Sequence, residues 1–295
     1  MTNSKTVSWK DKWNYKIEIK SREKIDSSDV DAMRDNPTAE IYTVRDLKPT
    51  RDEIALIRVL AQAYNDLLRS LNYATIKLVH DNVHILSEAE FKKKILCSSP
   101  RPSLAALFSF CHCYVVRGSN RFVLELAHEL CHYYGYFKLG VNIGATRREF
   151  GAKRMGLAVN LDTEAVAFVG FNEAMTELIT HQVVEVALKN SLLPSKYKTV
   201  DLRSHTYESN IAILDYIGKK ASGTDSAKES LFWSNLMRAY FTGNHKYMRC
   251  VLNNDLLWAV VAGMGCRDED ALRTAYALGS RALMNRIKKI NTEVE

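Results

Sequence analysis

The stretch that decides the fold is Phe122-Val123-Leu124-Glu125-Leu126-Ala127-His128-Glu129-Leu130-Cys131-His132-Tyr133-Tyr134-Gly135-Tyr136. Phe122, Leu126, Leu130 and Tyr134 recur at four-residue spacing, which is an apolar stripe on a helix. Ser119 is a suitable N-cap ahead of it, and the predicted helix runs to about Lys138. His128 and His132 then lie one turn above each other and can address a single ion. Glu129 sits beside the pair. Two imidazoles, a third protein ligand and a position left for water form the zinc arrangement that activates water. Two solvated histidines on a surface helix would be the bland alternative. Leu124, Leu126, Ala127 and Leu130 weigh against it, because unpartnered imidazoles in apolar surroundings are costly.

About forty residues beyond His132 comes Gly170-Phe171-Asn172-Glu173-Ala174-Met175-Thr176-Glu177. A helix capped by Asn172 is predicted to run to about Asn190. Glu173, Glu177 and His181 form an i, i+4, i+8 ladder on it, so each can face an ion. H-E-x-x-H followed by a helix opening with N-E-x-x-x-E resembles the gluzincin clan of zinc peptidases. Within that clan the chain most resembles cytoplasmic bacterial zinc-peptidase-like proteins that carry a similar segment. The resemblance implies that Glu173 is the third zinc ligand and that Glu177 supports a ligand histidine from behind. It implies Glu129 as general base, with Zn²⁺ as cofactor. Glu177 or His181 in place of Glu173 remains open on the ladder alone.

The clan also needs a donor for the oxyanion of the tetrahedral intermediate. The resemblance points to Tyr207 and His205, although Tyr207 also opens an apolar helix face with Ile211, Leu214 and Ile217. In the clan, a strand before the metal helix is commonly the edge that pairs with extended substrate, which would be Phe110–Val116 here. Cys111 and Cys113 are expected on one strand face as small buried thiols, with His112 on the other. Cys131 is expected in the core.

Working outward, residues 1–38 read as a flexible polar leader with a short strand at Tyr15–Ile19. A helix is predicted over 50–72, capped by Thr50 or Asp52. A hairpin is predicted from 75–79 and 83–86, then a short helix over 87–96. One strand is expected over 108–116, and β-like runs at 155–159 and 165–169. Residues 207–219, 227–241, 244–253 and 268–290 read as helices. The expected architecture is α+β: a small mixed or antiparallel sheet packed on the metal helix, zincin-like. Residues 39–220 would be the catalytic domain, and 221–295 a helical C-terminal extension packed on it.

The chain has 295 residues, 46% hydrophobic and 25% charged, enough for a substantial core. Its net charge of +7 is spread along the chain, with only short runs such as Lys92-Lys93-Lys94, so no nucleic-acid arm is implied. Six cysteines do not make a disulfide framework in a chain this long. The polar start and the lack of a long apolar run imply neither a signal peptide nor a membrane span, and a cytoplasmic location is expected. The leading expectation is a zinc peptidase acting on a peptide or protein substrate. A catalytically weak zincin-like binding or regulatory protein is the alternative, and a structural zinc site is a third reading.

Overall fold

The computed structural model describes residues 3–9, 12–21, 25, 44–78, 80–96, 105–109, 111–143, 148–161, 165–202 and 206–293. These residues hold nine strands and ten α-helices in an α+β arrangement. Six strands make one sheet in the order β1 (Asn3–Trp9), β2 (Lys12–Ser21), β6 (Phe137–Ile143), β7 (Arg148–Met155), β8 (Ala158–Asn160), β9 (Val166–Ala167). A second sheet of three has the order β3 (Val83–Leu86), β5 (His112–Val116), β4 (Ala106–Ser109). The second is mixed: β3 runs parallel to β5 and β4 antiparallel to it. By spatial grouping there are two compact units. One takes in the described residues of Met1–Tyr134, Lys138–Ala152 and Ile179–Leu202; the other takes in those of Gly135–Phe137, Lys153–Leu178 and Arg203–Glu295. Among the described residues no helix is long and apolar enough to cross a membrane.

In the first unit, α1 (Arg51–Ser70) begins with a full capping box. Thr50 accepts from the Glu53 N–H at 3.2 Å, and Glu53 accepts from the Thr50 N–H at 2.6 Å. Glu53, 3% exposed, also takes two guanidinium bonds of 2.8 Å from Arg117. Burial alone would raise the Glu53 carboxyl; the Arg117 and Thr50 donors more than offset it and hold the group below its ordinary range. The short helix α2 (Glu88–Lys94) covers one face of the three-stranded sheet, where Leu86, Phe91, Ile95, Tyr114 and Val116 cluster.

The other face of that sheet carries α3 (Phe122–Tyr134), the helix of the deciding stretch. Its residues are buried almost all round, as a core helix requires. Polar ties fix its register. Tyr64 donates to the Ala127 carbonyl at 2.7 Å, and Tyr133 donates to Lys77 O at 3.0 Å. Asn14 Nδ2 donates to Tyr134 O at 2.7 Å, satisfying one of the carbonyls a helix end leaves open. The Tyr64 and Tyr134 rings stack at 4.9 Å.

Several expectations need correction. The metal helix stops at Tyr134, and Phe137 begins β6. Residues 75–78 form no strand and 80–82 form a 3₁₀ turn, so there is no hairpin there. The single strand expected over 108–116 is two strands, β4 and β5, turning at Cys111 with φ 70°. β5 is therefore central, and among the described residues β3 and β4 are the edge strands. Cys111 lies in the turn, outside the shared strand face expected for it, but it and Cys113 are fully buried free thiols. The last predicted helix is two, α9 (Asp268–Ala277) and α10 (Arg281–Glu293), interrupted at Gly279 with φ 67°.

The expected strand at Tyr15–Ile19 lies within β2, which pairs antiparallel with β1 from Asn3↔Ser21 to Trp9↔Lys12. Residues 22–24 and 26–38 of the expected leader, with 39–43 after it, fall outside the described residues. Lys12 is 0% exposed, its ammonium 5.0 Å from the centre of the Tyr133 ring and 5.5 Å from that of Tyr15. Its Nζ has no hydrogen-bond partner among the described residues, and burial lowers its pKa against a smaller opposing pull from Cys111 and Cys113.

The second unit includes the start of α4 (Val169–Leu188) and six further helices: α5 (Glu208–Ser222), α6 (Ser226–Thr242), α7 (His245–Val251), α8 (Asp255–Ala262), α9 and α10. Side-chain caps start three of them: Asp225 for α6, Asn244 for α7 and Asn254 for α8.

Candidate metal centre

His128 and His132 project from α3 one turn apart, with ring centroids at 4.9 Å and planes at 76°. His132 is 4% exposed, and its ring lies 5.7 Å from that of Phe108 on β4. Glu129, between them in sequence, is buried at 7% exposure. Its backbone carbonyl accepts from the Cys113 thiol at 3.4 Å, a contact that sets this turn of α3 on β5. The apolar stripe read in the sequence places the helix, and the histidines follow from its periodicity.

The start of α4 is clamped within its own unit. Phe168 N–H donates to Ala262 O and Gly170 N–H to Met264 O, each at 2.8 Å. Asn172 is fully buried and lies inside the helix, which starts at Val169; it is not the cap expected for it. Its amide is used sideways instead. Oδ1 accepts from the Leu157 N–H at 2.9 Å, and Nδ2 donates to Glu173 Oε1 at 3.1 Å. Asn172 thus locks the β7–β8 turn to the helix and holds the Glu173 carboxylate. That turn requires Gly156, whose φ is 54°: a Cβ there would lie 2.8 Å from the Tyr240 ring and would collide with Asn172 Oδ1. Tyr240 in turn shares a 2.9 Å hydroxyl bond with Thr176.

His128, His132 and Glu173 each offer a ligand atom, and these atoms lie within 4.8 Å of one another. For comparison, a tetrahedral ion with bonds of about 2.1 Å spaces its ligands by about 3.4 Å. Two imidazole nitrogens and a carboxylate oxygen, with Glu173 anchored by Asn172, form a donor set suited to Zn²⁺. Glu177 and His181, the rival ligands on the ladder, are not members of this cluster.

Glu177 is 2% exposed and accepts from the Thr206 backbone N–H at 2.9 Å. That bond ties the stretch entering α5 to the helix turn that follows Glu173. Tyr207 is the next residue, half-buried at the N-cap position of α5 with no capping bond from its side chain. His205 lies outside the described residues.

A polar chain that the sequence reading did not anticipate occupies the α2 side of the small sheet. His84 Nδ1 lies 3.0 Å from Asp46, and His84 Nε2 lies 2.8 Å from His112 Nδ1. A carboxylate at Asp46 accepts from His84 Nδ1, and the two imidazoles share the next bond of the chain. His112 Nε2 is buried and without a partner among the described residues. Burial, reinforced by His84, pushes the His112 pKa down to about 4. His84 and Tyr114 stack at 4.6 Å. The sequence signal was register: His84 opposes Tyr114 across β3 and β5, and Tyr114 shares its face with His112 two residues away.

No protein-family model, curated protein or solved structure matches the chain.

Proposed function

We propose that the chain is a zinc-dependent peptidase of gluzincin type. The observation that supports this reading is the convergence of His128, His132 and Glu173 with Glu129 built into the same helix as the two histidines. A bound zinc ion would supply Lewis acidity, lowering the pKa of a water and polarising the scissile carbonyl. His128, His132 and Glu173 would hold it, with Asn172 keeping the Glu173 carboxylate in place. Glu129 takes the proton of the attacking water and returns it to the leaving amine. Tyr207 donates to the oxyanion, positioned by the Glu177–Thr206 bond just before it. Extended substrate adds to the edge of β4, whose Phe108 packs beside His132. Pairing through main-chain bonds tolerates many sequences.

The retained Glu129 favours an enzyme over a zincin-like binding protein, since binding needs no base beside the ion. A structural zinc site usually has four protein ligands, and the cluster has three. The test compares wild type with Glu129→Gln for zinc content by mass spectrometry and for cleavage of a peptide library. The expected result is equal zinc and at least a hundredfold loss of cleavage, the scale on which a general base contributes. Zinc-free wild type, or a variant that cleaves as fast, would overturn the proposal.

A further inference from the structure

Within the C-terminal helices, α5, α6, the end of α7, α8 and the end of α9 line a cavity of about 560 Å³, in the range of small-ligand sites. Its wall is mostly apolar. Ile217, Phe232 and Val251 are buried along it, while Leu231 and Leu256 also line it at 60% and 70% exposure. Large apolar side chains facing a cavity while open to solvent mark a surface that binding would cover. Two lysines line the cavity, Lys220 and Lys228, and among the described residues no acidic side chain does. Both stand within one turn of the α5–α6 connection, so the positive charge is gathered at one end. Asp225 pairs with Lys228 through Oδ2 at 3.8 Å, while its Oδ1 accepts from the N–H groups of Ala227 and Lys228.

We propose that this cavity binds a single-chain amphiphilic anion, a long-chain fatty carboxylate. The alkyl chain lies against Ile217, Leu231, Phe232, Val251 and Leu257, and the carboxylate meets Lys220 and Lys228. Charge at one end and a wall that is apolar elsewhere except for Asn235, Asn253 and Asn254 match a ligand with one charged head and one tail. A free inorganic anion gains nothing from the apolar wall. An acidic peptide would need cations distributed along the cavity. Cys250, a free and exposed thiol in the lining, provides a built-in reporter.

The test uses the full chain, titrated calorimetrically with saturated carboxylates of eight to sixteen carbons below their micelle concentrations. Binding should be one to one. Affinity should rise roughly fifteenfold for each two added methylenes until the tail fills the cavity. The exposed double change Lys220→Glu with Lys228→Glu should weaken carboxylate binding at least tenfold and leave the alcohol of equal length unaffected. Leu231→Asp, also at an exposed position, should weaken both. Bound carboxylate should slow maleimide alkylation of Cys250, read by mass spectrometry against Cys266, which is outside the lining. Absent binding, equal effects of the lysine changes on acid and alcohol, unprotected Cys250, or an acidic peptide that competes better than any carboxylate would each overturn the proposal.

Discussion

Replacing Glu173 by Gln separates a metal ligand from a buried carboxylate that merely packs. Glu173 is 7% exposed and receives the Asn172 amide on Oε1, a bond that the Gln oxygen can keep. The change therefore removes charge with little change of shape. Shape and the Asn172 bond being kept, chelated Glu173→Gln should be about as stable as chelated wild type. With free zinc buffered at a thousand times its dissociation constant, wild type gains about 4 kcal/mol by mass action. At roughly 2.1 cal/mol/K per residue, the unfolding entropy of a chain this long makes that a rise of about 6–7 °C in Tm, if it unfolds in one transition. Loss of a supporting residue alone costs metal sites ten- to a hundredfold in affinity. Taking a hundredfold for the ligand itself, the variant gains only about 1.4 kcal/mol at the same free zinc, a rise of about 2 °C. The assay is scanning calorimetry of both proteins in chelator and in zinc buffer. An equal zinc-induced rise in both would refute Glu173 as ligand. A variant strongly destabilised in chelator would show that the fold itself needs the carboxylate and would refute the expectation of matched stability without metal.

Lys12→Met should stabilise the fold at pH 7 by about 1 kcal/mol or more, because a buried ammonium with no hydrogen-bond partner among the described residues gives way to an apolar chain of similar length; a lower urea midpoint in the variant would count against it. His112 is pushed down to about 4 from an ordinary value near 6.5, so the unfolded chain binds the extra proton between those values. Its contribution is thus complete above pH 6.5 and declines as pH falls toward 4, by about 2 kcal/mol between pH 7 and pH 5. His112→Asn should remove that much of the acid loss in urea titrations at the two pH values, whereas His245, also pushed to about 4, remains in both proteins; an unchanged pH slope would remove His112 from the account. Gly156→Ala should cost about 1–3 kcal/mol from positive φ and the clash at Asn172, and should weaken zinc binding through Glu173; unaltered stability and zinc affinity would show that the turn does not position the carboxylate.

How much of this was legible beforehand follows from the range of the forces involved. The metal helix, the helix bearing Glu173 and most C-terminal helices could be read because periodicity, caps and glycine breaks act within a few residues. His128, Glu129 and His132 were legible for the same reason, since four residues make one turn. Glu173, Glu177 and His181 stood on one ladder in the sequence, and the resemblance favoured Glu173. Within its own unit, the start of the helix bearing Glu173 is held by contacts made by residues far apart in the chain: Asn172 on Leu157, and Gly170 on Met264. Strand partnership was decided at the same level. Phe108–Val116 reads as one run because its residue types favour strands throughout, yet it reverses at Cys111, and the reversal makes β4 rather than β5 the edge. The buried Lys12 and the Asp46–His84–His112 chain were illegible because burial and hydrogen bonding between distant segments leave no local pattern. The sequence determined which residues can do chemistry and which face of a helix carries them; the tertiary structure decided which of them meet, because that depends on pairings that cost loop-closure entropy and are fixed only when the core closes around them.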